Sequence, residues 1–462
     1  MTASMTDNLT ANILDIASRL PDNWLVGCDS SELLVAVDRL FQELTKLATE
    51  TPPKICICEP EPVKFIASFL AAITAKCQIF LCNPNWVKPE WQQVFDLIQP
   101  DIIFGQNAEF EKSNSPCPMP DAQFPSIMIP TGGSSGKIRF AIHTWETLTA
   151  SVTGFHQYFQ VSQINSFCVL PLYHVSGLMQ FMRSFTTAGK LAIQPFKSLE
   201  KSEKCDIEPE EFFISLVPTQ LQRLLQNPDT AHWLSRFYAV LLGGAPAWPE
   251  LLETARNYQI KLTLTYGMTE TASQIAALKP EYFLAGNNSS GQILPHAKVT
   301  IRGAKGEILG YNETGNIAVN ARSLALGYYP ENWVDREYFQ LDDLGFFDTN
   351  NCLNIVGRSS DKIITGGENV FPAEVEAAVR STDLVADICI IGLPDKHWGQ
   401  AVTAVYVPAN SQVTVKSLQG AIEDKLSKFK RPKKWVAVAH LPRNSQGKIN
   451  REHLQEIAMK SK

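Results

Sequence analysis

Short apolar runs, four to six residues long and closed by glycine, proline or threonine turns, recur through the chain at 54–58, 78–82, 166–170, 212–217, 238–242 and 262–265. Between the first two lies a helical apolar stretch at 62–75. Strands that alternate with helices in this way build an open α/β sheet. In such sheets ligands bind where the carboxyl ends of the strands meet their loops. The junctions at Thr131, Gly243 and Tyr266 are therefore expected around one crevice.

The texture changes twice further on. Between 291 and 347, strands at 298–301 and 315–319 are separated by Gly303, Gly306, Gly310 and Asn312, which predicts a small antiparallel or barrel-like piece. After Arg358 the alternation resumes: helix 372–380, strands 388–391 and 401–407, helix 415–427 and strand 435–439. These last hundred or so residues suffice for a separate small α/β domain. The expected division is thus 1–357 and 358–462.

Composition removes several classes of function. A formal charge of -6 gives no bulk attraction to nucleic acid or an anionic membrane. The longest membrane-like stretch, 65–75, is too short to span a bilayer and is flanked by Lys64 and Lys76. Residues 1–9 are polar and show no secretory signal pattern. The ten cysteines follow neither zinc-ligand nor disulfide-framework spacing, so a cytoplasmic protein with reduced thiols is expected. The sequence leaves homo-oligomerisation open.

The densest chemical signal follows the apolar residues 127–129. Thr131-Gly132-Gly133-Ser134-Ser135-Gly136-Lys137-Ile138-Arg139-Phe140 can lay backbone N–H groups and hydroxyls around a polyphosphate, because glycine permits close approach and positive φ. A serine-glycine turn is the plain alternative. A Walker loop is unlike this one: Thr131 stands where its first glycine belongs, and Ile138, after Lys137, cannot ligate magnesium. Further on, Tyr266-Gly267-Met268-Thr269-Glu270 offers a flat face for a purine, a hydroxyl and a hard oxygen ligand suited to Mg²⁺ on a phosphate. Its alternative is a strand end with Thr269 capping a helix. Leu242-Gly243-Gly244-Ala245-Pro246 can pack backbone on an adenine ring or form an ordinary turn.

Together these segments resemble the acyl-adenylate-forming superfamily of acyl-CoA synthetases, luciferases and peptide-synthetase adenylation domains. The resemblance runs from about Lys54 to Lys448. Tyr266-Gly267-Met268-Thr269-Glu270 matches the family's Y-G-x-T-E signature without substitution. The phosphate loop departs from it: Gly132 stands for serine, Ile138 for proline, Arg139 for lysine and Phe140 for glycine. The resemblance implies a large N-terminal domain of α/β subdomains plus a distorted β-barrel, followed by a small mobile α/β domain. It also implies ATP, Mg²⁺ and coenzyme A. Leu341-Asp342-Asp343-Leu344-Gly345 is similar to the T-G-D-L-G element, placing Asp343 on the ribose hydroxyls. In Gly357-Arg358-Ser359-Ser360-Asp361, Arg358 falls on a ribose or phosphate contact, and Ser360 on the hinge that is often aspartate in relatives. Gly366 and Gly367 would pass close to a pantetheine chain. Pro442 to Lys448 resembles the P-x-x-x-x-G-K segment, with Lys448 as the catalytic lysine, a cation bridging two anions brought together.

The substrate pocket is read from two further segments. Leu170-Pro171-Leu172-Tyr173-His174-Val175-Ser176-Gly177-Leu178 looks like the acyl-pocket segment, with His174 near the reacting carboxylate; a core histidine is the alternative. Paired with Thr269 to Ile275, it is similar to the 2-succinylbenzoate–CoA ligases of menaquinone and phylloquinone biosynthesis. Ser176, Gly243, Ser273 and Gln274 would then line the site of an aromatic dicarboxylate, and no cation for its second carboxylate stands out. Three other readings remain: another aryl or fatty acyl-CoA ligase, a free-standing adenylation enzyme loading a carrier protein, and a nucleotide-binding relative without catalysis.

Overall fold

Strands enclosed on both faces need no polar side, which is why apolar runs such as Ala-Val-Leu-Leu at 239–242 become the middle of a sheet. The computed structural model describes residues 17–461 apart from 18–19, 22, 28–29, 48–52, 106–124, 133–137, 204, 335–336, 366–367 and 444–448. These residues gather into two compact units. The first takes the chain up to Ala245 together with Ala255–Lys298 and Asn320–Phe339; the second takes Pro246–Thr254, Val299–Val319 and the chain from Gln340 onward.

The first unit holds two sheets. One runs Leu25–Val26, Leu191–Ile193, Asn165–Cys168, Phe212–Leu216, Ala239–Leu242, Leu262–Met268, Ser273–Ala277, Gln292–Ile293. It is parallel up to Leu262–Met268 and antiparallel beyond. The other runs Glu331–Asn332, Gly327–Tyr328, Ile138–His143, Ile127–Gly132, Gln78–Leu81, Lys54–Ile57, Ile102–Phe104. Helix Pro62–Thr74 carries a proline in its first turn, and the Glu61 carboxylate accepts from the amides of Val63 and Lys64. Ten of its residues are buried, from Phe65 to Thr74, so its apolar length is explained by a core without any membrane. No helix among the described residues is long and apolar enough to cross one.

Period-two alternation sorts the strands near the phosphate loop. Met128, Phe140 and Ile142 point into an apolar cluster with Cys56, Cys58, Phe80 and Tyr329. Thr131, Arg139 and Tyr328 therefore share the opposite face. The apolar residues 127–129 open a strand that continues to Gly132, and it returns antiparallel as Ile138–His143, with Gly132 opposite Ile138.

In the second unit, four strands form a sheet in the order Ala297–Arg302, Gly315–Ala321, Phe339–Phe347, Leu353–Arg358. A second sheet carries Glu368–Val370, Ile363–Thr365, Gly399–Pro408 and Val385–Asp395, with Lys434–Ala437 also pairing Gly399–Pro408. Ile388 and Ile390 face one apolar cluster while Cys389, Ile391 and Leu393 face another, so both faces of this sheet are covered. Helix Pro372–Arg380 agrees with expectation, whereas the strand expected at 388–391 extends over Val385–Asp395. The helix expected over 415–427 stops at Ala421, just after Gly420. Buried Ile422 and Leu426 continue the i, i+4 spacing from turns, which is why the pattern read as a longer helix. Residue 358, the expected division, closes the strand Leu353–Arg358 inside this second unit.

Candidate active site

Three parallel strands of the first unit reach the end of their mutual pairing level with one another. Leu216 lies opposite Leu242, and Leu242 opposite Leu264, so Val217, Gly243 and Thr265 follow side by side, the third strand running on to Met268 antiparallel to Ser273–Ala277. The Thr265 hydroxyl donates to the Leu242 carbonyl at 3.1 Å. A Cβ on Gly243 would lie 2.5 Å from that hydroxyl, so only glycine fits beside Thr265. Gly244 takes a φ of +82°, and Ala245 after it is exposed. Half-buried Tyr266 follows Thr265, and at Gly267 a Cβ would meet the Ser273 carbonyl at 2.1 Å. The nucleotide-directed junctions expected at Gly243, Gly244, Ala245, Tyr266 and Gly267 thus occupy one strand-end edge.

The turn Thr269–Thr271 then carries Glu270 to the second sheet. His143 bonds the Thr269 carbonyl at 2.8 Å, and the Ala325 amide donates to the Glu270 carbonyl at 2.8 Å. The Glu270 side chain is buried, with 7% exposure. Its Oε1 accepts from the Tyr328 hydroxyl at 2.6 Å and the Thr131 hydroxyl at 3.4 Å. Burial first, and then the adjacent carboxylate, push the Tyr328 phenol well above its ordinary pKa, so it stays protonated and donates. Thr131 sits opposite Arg139 across the hairpin, and the Arg139 guanidinium lies 4.4 Å from the Tyr328 ring centre. Gly133, Ser134, Ser135, Gly136 and Lys137 lie outside the described residues.

Among the described residues no cation pairs with Glu270, and no group of three or more His, Cys, Asp or Glu could hold a metal. One unneutralised carboxylate suits Mg²⁺, which binds by one or two protein carboxylates and takes its other ligands from phosphates and water. The donor set therefore fits a magnesium ion that arrives with a nucleotide.

Sequence reasoning missed Arg183. It lies on helix Val175–Thr186 among Leu178, Met179, Phe181, Met182 and Phe185, and is 3% exposed. The guanidinium donates to Gln274 Oε1 at 2.9 Å and Ser273 Oγ at 3.2 Å, and stacks on Phe155 at 4.4 Å. Its Nε has no hydrogen-bond partner, and no carboxylate pairs with it among the described residues. Burial lowers its pKa to about 9. Nearby, His296 is 4% exposed with both ring nitrogens unpartnered, and a Cβ on Gly154 would fall 1.8 Å from its Nδ1. Burial first, then Arg322 and Arg183, hold its pKa down to about 4. The signal in the sequence was a lone arginine inside an apolar helix, rare unless the charge has a use. Ser273, whose φ is +85°, and Gln274 are both engaged by Arg183. His174 is the residue preceding that same helix, half-buried, with its ring 4.4 Å from that of Tyr173; Ser176 is exposed.

The second unit brings together Asp343 and Arg358. They are opposed across the strands Phe339–Phe347 and Leu353–Arg358 and form an ion pair at 3.2 Å. Burial works against the Arg358 charge, but Asp343 and its neighbours outweigh it and raise the pKa. Ser360 donates its amide to Asp342 Oδ1 at 3.1 Å and its hydroxyl to Asp342 Oδ2, while the Ser359 amide donates to the Asp342 carbonyl at 2.7 Å. Gly366, Gly367 and Lys448 lie outside the described residues; Arg443 and Ile449, flanking the lysine loop, form an antiparallel bridge.

Comparison with known proteins adds the following. Residues 30–329 match the family described as AMP-binding enzyme, and residues 374–448 match the AMP-binding enzyme C-terminal domain. A 2-succinylbenzoate–CoA ligase of Enterococcus faecalis is 32% identical over 330 residues, covering 70% of this chain and 67% of that protein. One from Geobacillus is 32% identical over 334 residues, covering 71% and 68%. The o-succinylbenzoate CoA synthetase of Bacillus subtilis bound to the acyl-adenylate OSB-AMP superposes with a TM-score of 0.81 at 24% identity, over 96% of this chain and 97% of that one. The same enzyme with ATP and a magnesium ion gives 0.77 at 25% identity, over 92% and 94%.

Proposed function

The chain belongs to the AMP-binding enzymes, and from that premise we propose that it is an ATP-dependent acid–CoA ligase acting on 2-succinylbenzoate. In the first half-reaction the succinyl carboxylate attacks the α-phosphorus of ATP, giving an acyl-adenylate and pyrophosphate. In the second, the coenzyme A thiol displaces AMP to form the thioester. The nucleophiles come from the substrates, so no serine or cysteine triad is required.

Each residue has a share in this scheme. Tyr266, with the backbone of Gly243, Gly244 and Ala245, takes the adenine, and Asp343 and Arg358 take the ribose. Thr131 and the loop to Lys137 hold the phosphates. Glu270 would hold a magnesium ion, which supplies neutralising charge to the phosphates. Lys448 steadies the charge that develops as carboxylate meets phosphate. Rotation of residues 358–462 about Ser360 then brings Gly366 and Gly367 to the pantetheine for the second step. The product enters menaquinone or phylloquinone synthesis in the cytoplasm.

One observation supports the dicarboxylate in particular: the enclosed guanidinium of Arg183 beside Ser273 and Gln274, which meets no carboxylate among the described residues. A buried cation without an anion is costly, and a ligand that carries a second carboxylate relieves that cost. We place the ring carboxylate of 2-succinylbenzoate on Arg183 and the succinyl carboxylate towards His174. The test is AMP release with ATP, coenzyme A and a panel of acids. The full dicarboxylate should exceed its analogue without the ring carboxylate by about 10²–10⁴-fold in kcat/KM. Equal use of the two, or preference for a fatty acid, would overturn the assignment.

A further inference from the structure

Tyr328 holds Glu270 at one carboxylate oxygen while the chain just before it holds the same residue by its backbone. The Tyr328 hydroxyl donates to Glu270 Oε1 at 2.6 Å, and the Ala325 amide donates to the Glu270 carbonyl at 2.8 Å. The segment doing this is itself fixed. Leu326 and Tyr329 donate their amides to Ile142 and Phe140, and Tyr328 lies opposite Ala141 in the sheet. The tyrosine ring has little freedom either, with Arg139 over it at 4.4 Å and Trp333 edge-on at 5.4 Å. Both hydroxyl donors, Tyr328 and Thr131, converge on Oε1, and no donor reaches Oε2 among the described residues. One oxygen is thus anchored and the other left for a ligand.

We propose that Tyr328 is a positioning residue that presents Glu270 Oε2 to a divalent cation carried on nucleotide phosphates. The proposal rests on Glu270 being the metal-holding carboxylate. A carboxylate that could spin about its terminal torsion would have to be ordered each time the cation arrived; the phenol does this in advance. Arg139, stacked on the same ring and opposite Thr131, ties the returning strand of the phosphate hairpin to that carboxylate. Tyr328 makes no contact with the reacting atoms in this account; it acts through Glu270.

Tyr328→Phe keeps the ring and its stacking and removes only the hydroxyl. The direct readout is Mn²⁺ binding by electron paramagnetic resonance, in the presence of a non-hydrolysable ATP analogue. Wild type, Tyr328→Phe and Glu270→Gln are compared. Tyr328→Phe should weaken Mn²⁺ about 10-fold or more, in the range for partners that orient metal ligands. It should raise the Mg²⁺ concentration needed for adenylation in parallel, and leave thioester formation from supplied acyl-adenylate within about twofold, since that step uses no nucleotide triphosphate. Unchanged Mn²⁺ affinity in Tyr328→Phe, with a clear loss in Glu270→Gln, overturns the role of Tyr328 alone. Unchanged affinity in Glu270→Gln overturns the assignment of Glu270 beneath it. Equal loss of both half-reactions in Tyr328→Phe overturns the proposal by assigning the hydroxyl to the fold.

Discussion

Replacing Arg183 by methionine should make the empty protein more stable and the enzyme blind to the second carboxylate. Burial lowers the Arg183 pKa from 12.5 to about 9. At about 1.4 kcal/mol per pKa unit, that is on the order of 5 kcal/mol withdrawn from the charged form. Methionine follows the path of the aliphatic stem and brings no charge. It strands Ser273 and Gln274, which lose their donor at a cost of about 1–2 kcal/mol each, although Ser273 still reaches Gln274 at 3.3 Å. The net gain is therefore about 1–3 kcal/mol, of the size seen when buried charges give way to apolar side chains. In a unit of this size that corresponds to roughly 1.5–5 °C in melting temperature. In the complex the sign reverses, because an enclosed carboxylate that loses its guanidinium costs about 2–5 kcal/mol, or roughly 30- to 5,000-fold in kcat/KM. The assays are differential scanning calorimetry without ligand and AMP release with the dicarboxylate and its mono-acid analogue. A lower melting temperature together with unchanged preference between the two acids would refute the reasoning, since it would make Arg183 an ordinary structural residue.

Three other outcomes follow from the same geometry. Lys448→Ala should reduce adenylation by at least about 100-fold yet leave thioester formation from supplied acyl-adenylate nearly intact, as expected of a cation used only in the first transition state; equal loss in both steps would speak against domain alternation. His296 is held neutral, its pKa lowered from 6.5 to about 4. As pH falls the unfolded chain gains the proton first, so the stabilisation is complete above about 6.5 and is lost towards pH 4. It amounts to about 3 kcal/mol in all. Urea unfolding at pH 7.5 and 5 should show most of that loss in the wild type and little of it in His296→Gln. Asp342→Ala removes the acceptor of the Ser360 amide and hydroxyl, so hydrogen exchange at Ser360 should quicken about 5- to 30-fold, the equivalent of 1–2 kcal/mol; unchanged protection would show that the carboxylate does not restrain the hinge.

The parts of the molecule legible in the sequence are those whose partners are near in sequence or whose burial is uniform. The strands expected at 238–242 and 262–265 were visible because Ala239 to Leu242 and Leu262 to Leu264 are all enclosed, and the Tyr266-to-Glu270 motif because one strand end and the turn after it carry all its chemistry. Arg183 was not visible. Its acceptors Ser273 and Gln274 lie 90 and 91 residues further along, and on its own helix it interrupts an apolar face without any pattern. Tyr328 was missed for the same reason, being 58 residues from Glu270. The helix expected to reach 427 failed differently. Leu418, Ile422 and Leu426 are all buried, but turns can satisfy an i, i+4 spacing as well as a helix does. Asp342 falls on the glycine of the T-G-D-L-G element that this segment resembles, and only the fold shows its carboxylate on Ser360, eighteen residues away.

The adjoining strands Lys54–Ile57 and Gln78–Leu81 bring Cys56, Cys58 and Cys82 into one apolar cluster, all three fully enclosed. Burial raises the Cys82 thiol well above its ordinary range, and full enclosure keeps an alkylating reagent from all three sulfurs. The trio is shielded while the strands stay paired and becomes reactive once they part. Gln78–Leu81 also adjoins Ile127–Gly132, the strand that carries Thr131. Nature has therefore placed a chemical clock next to the phosphate-binding hairpin, one that starts running only when that half of the protein opens.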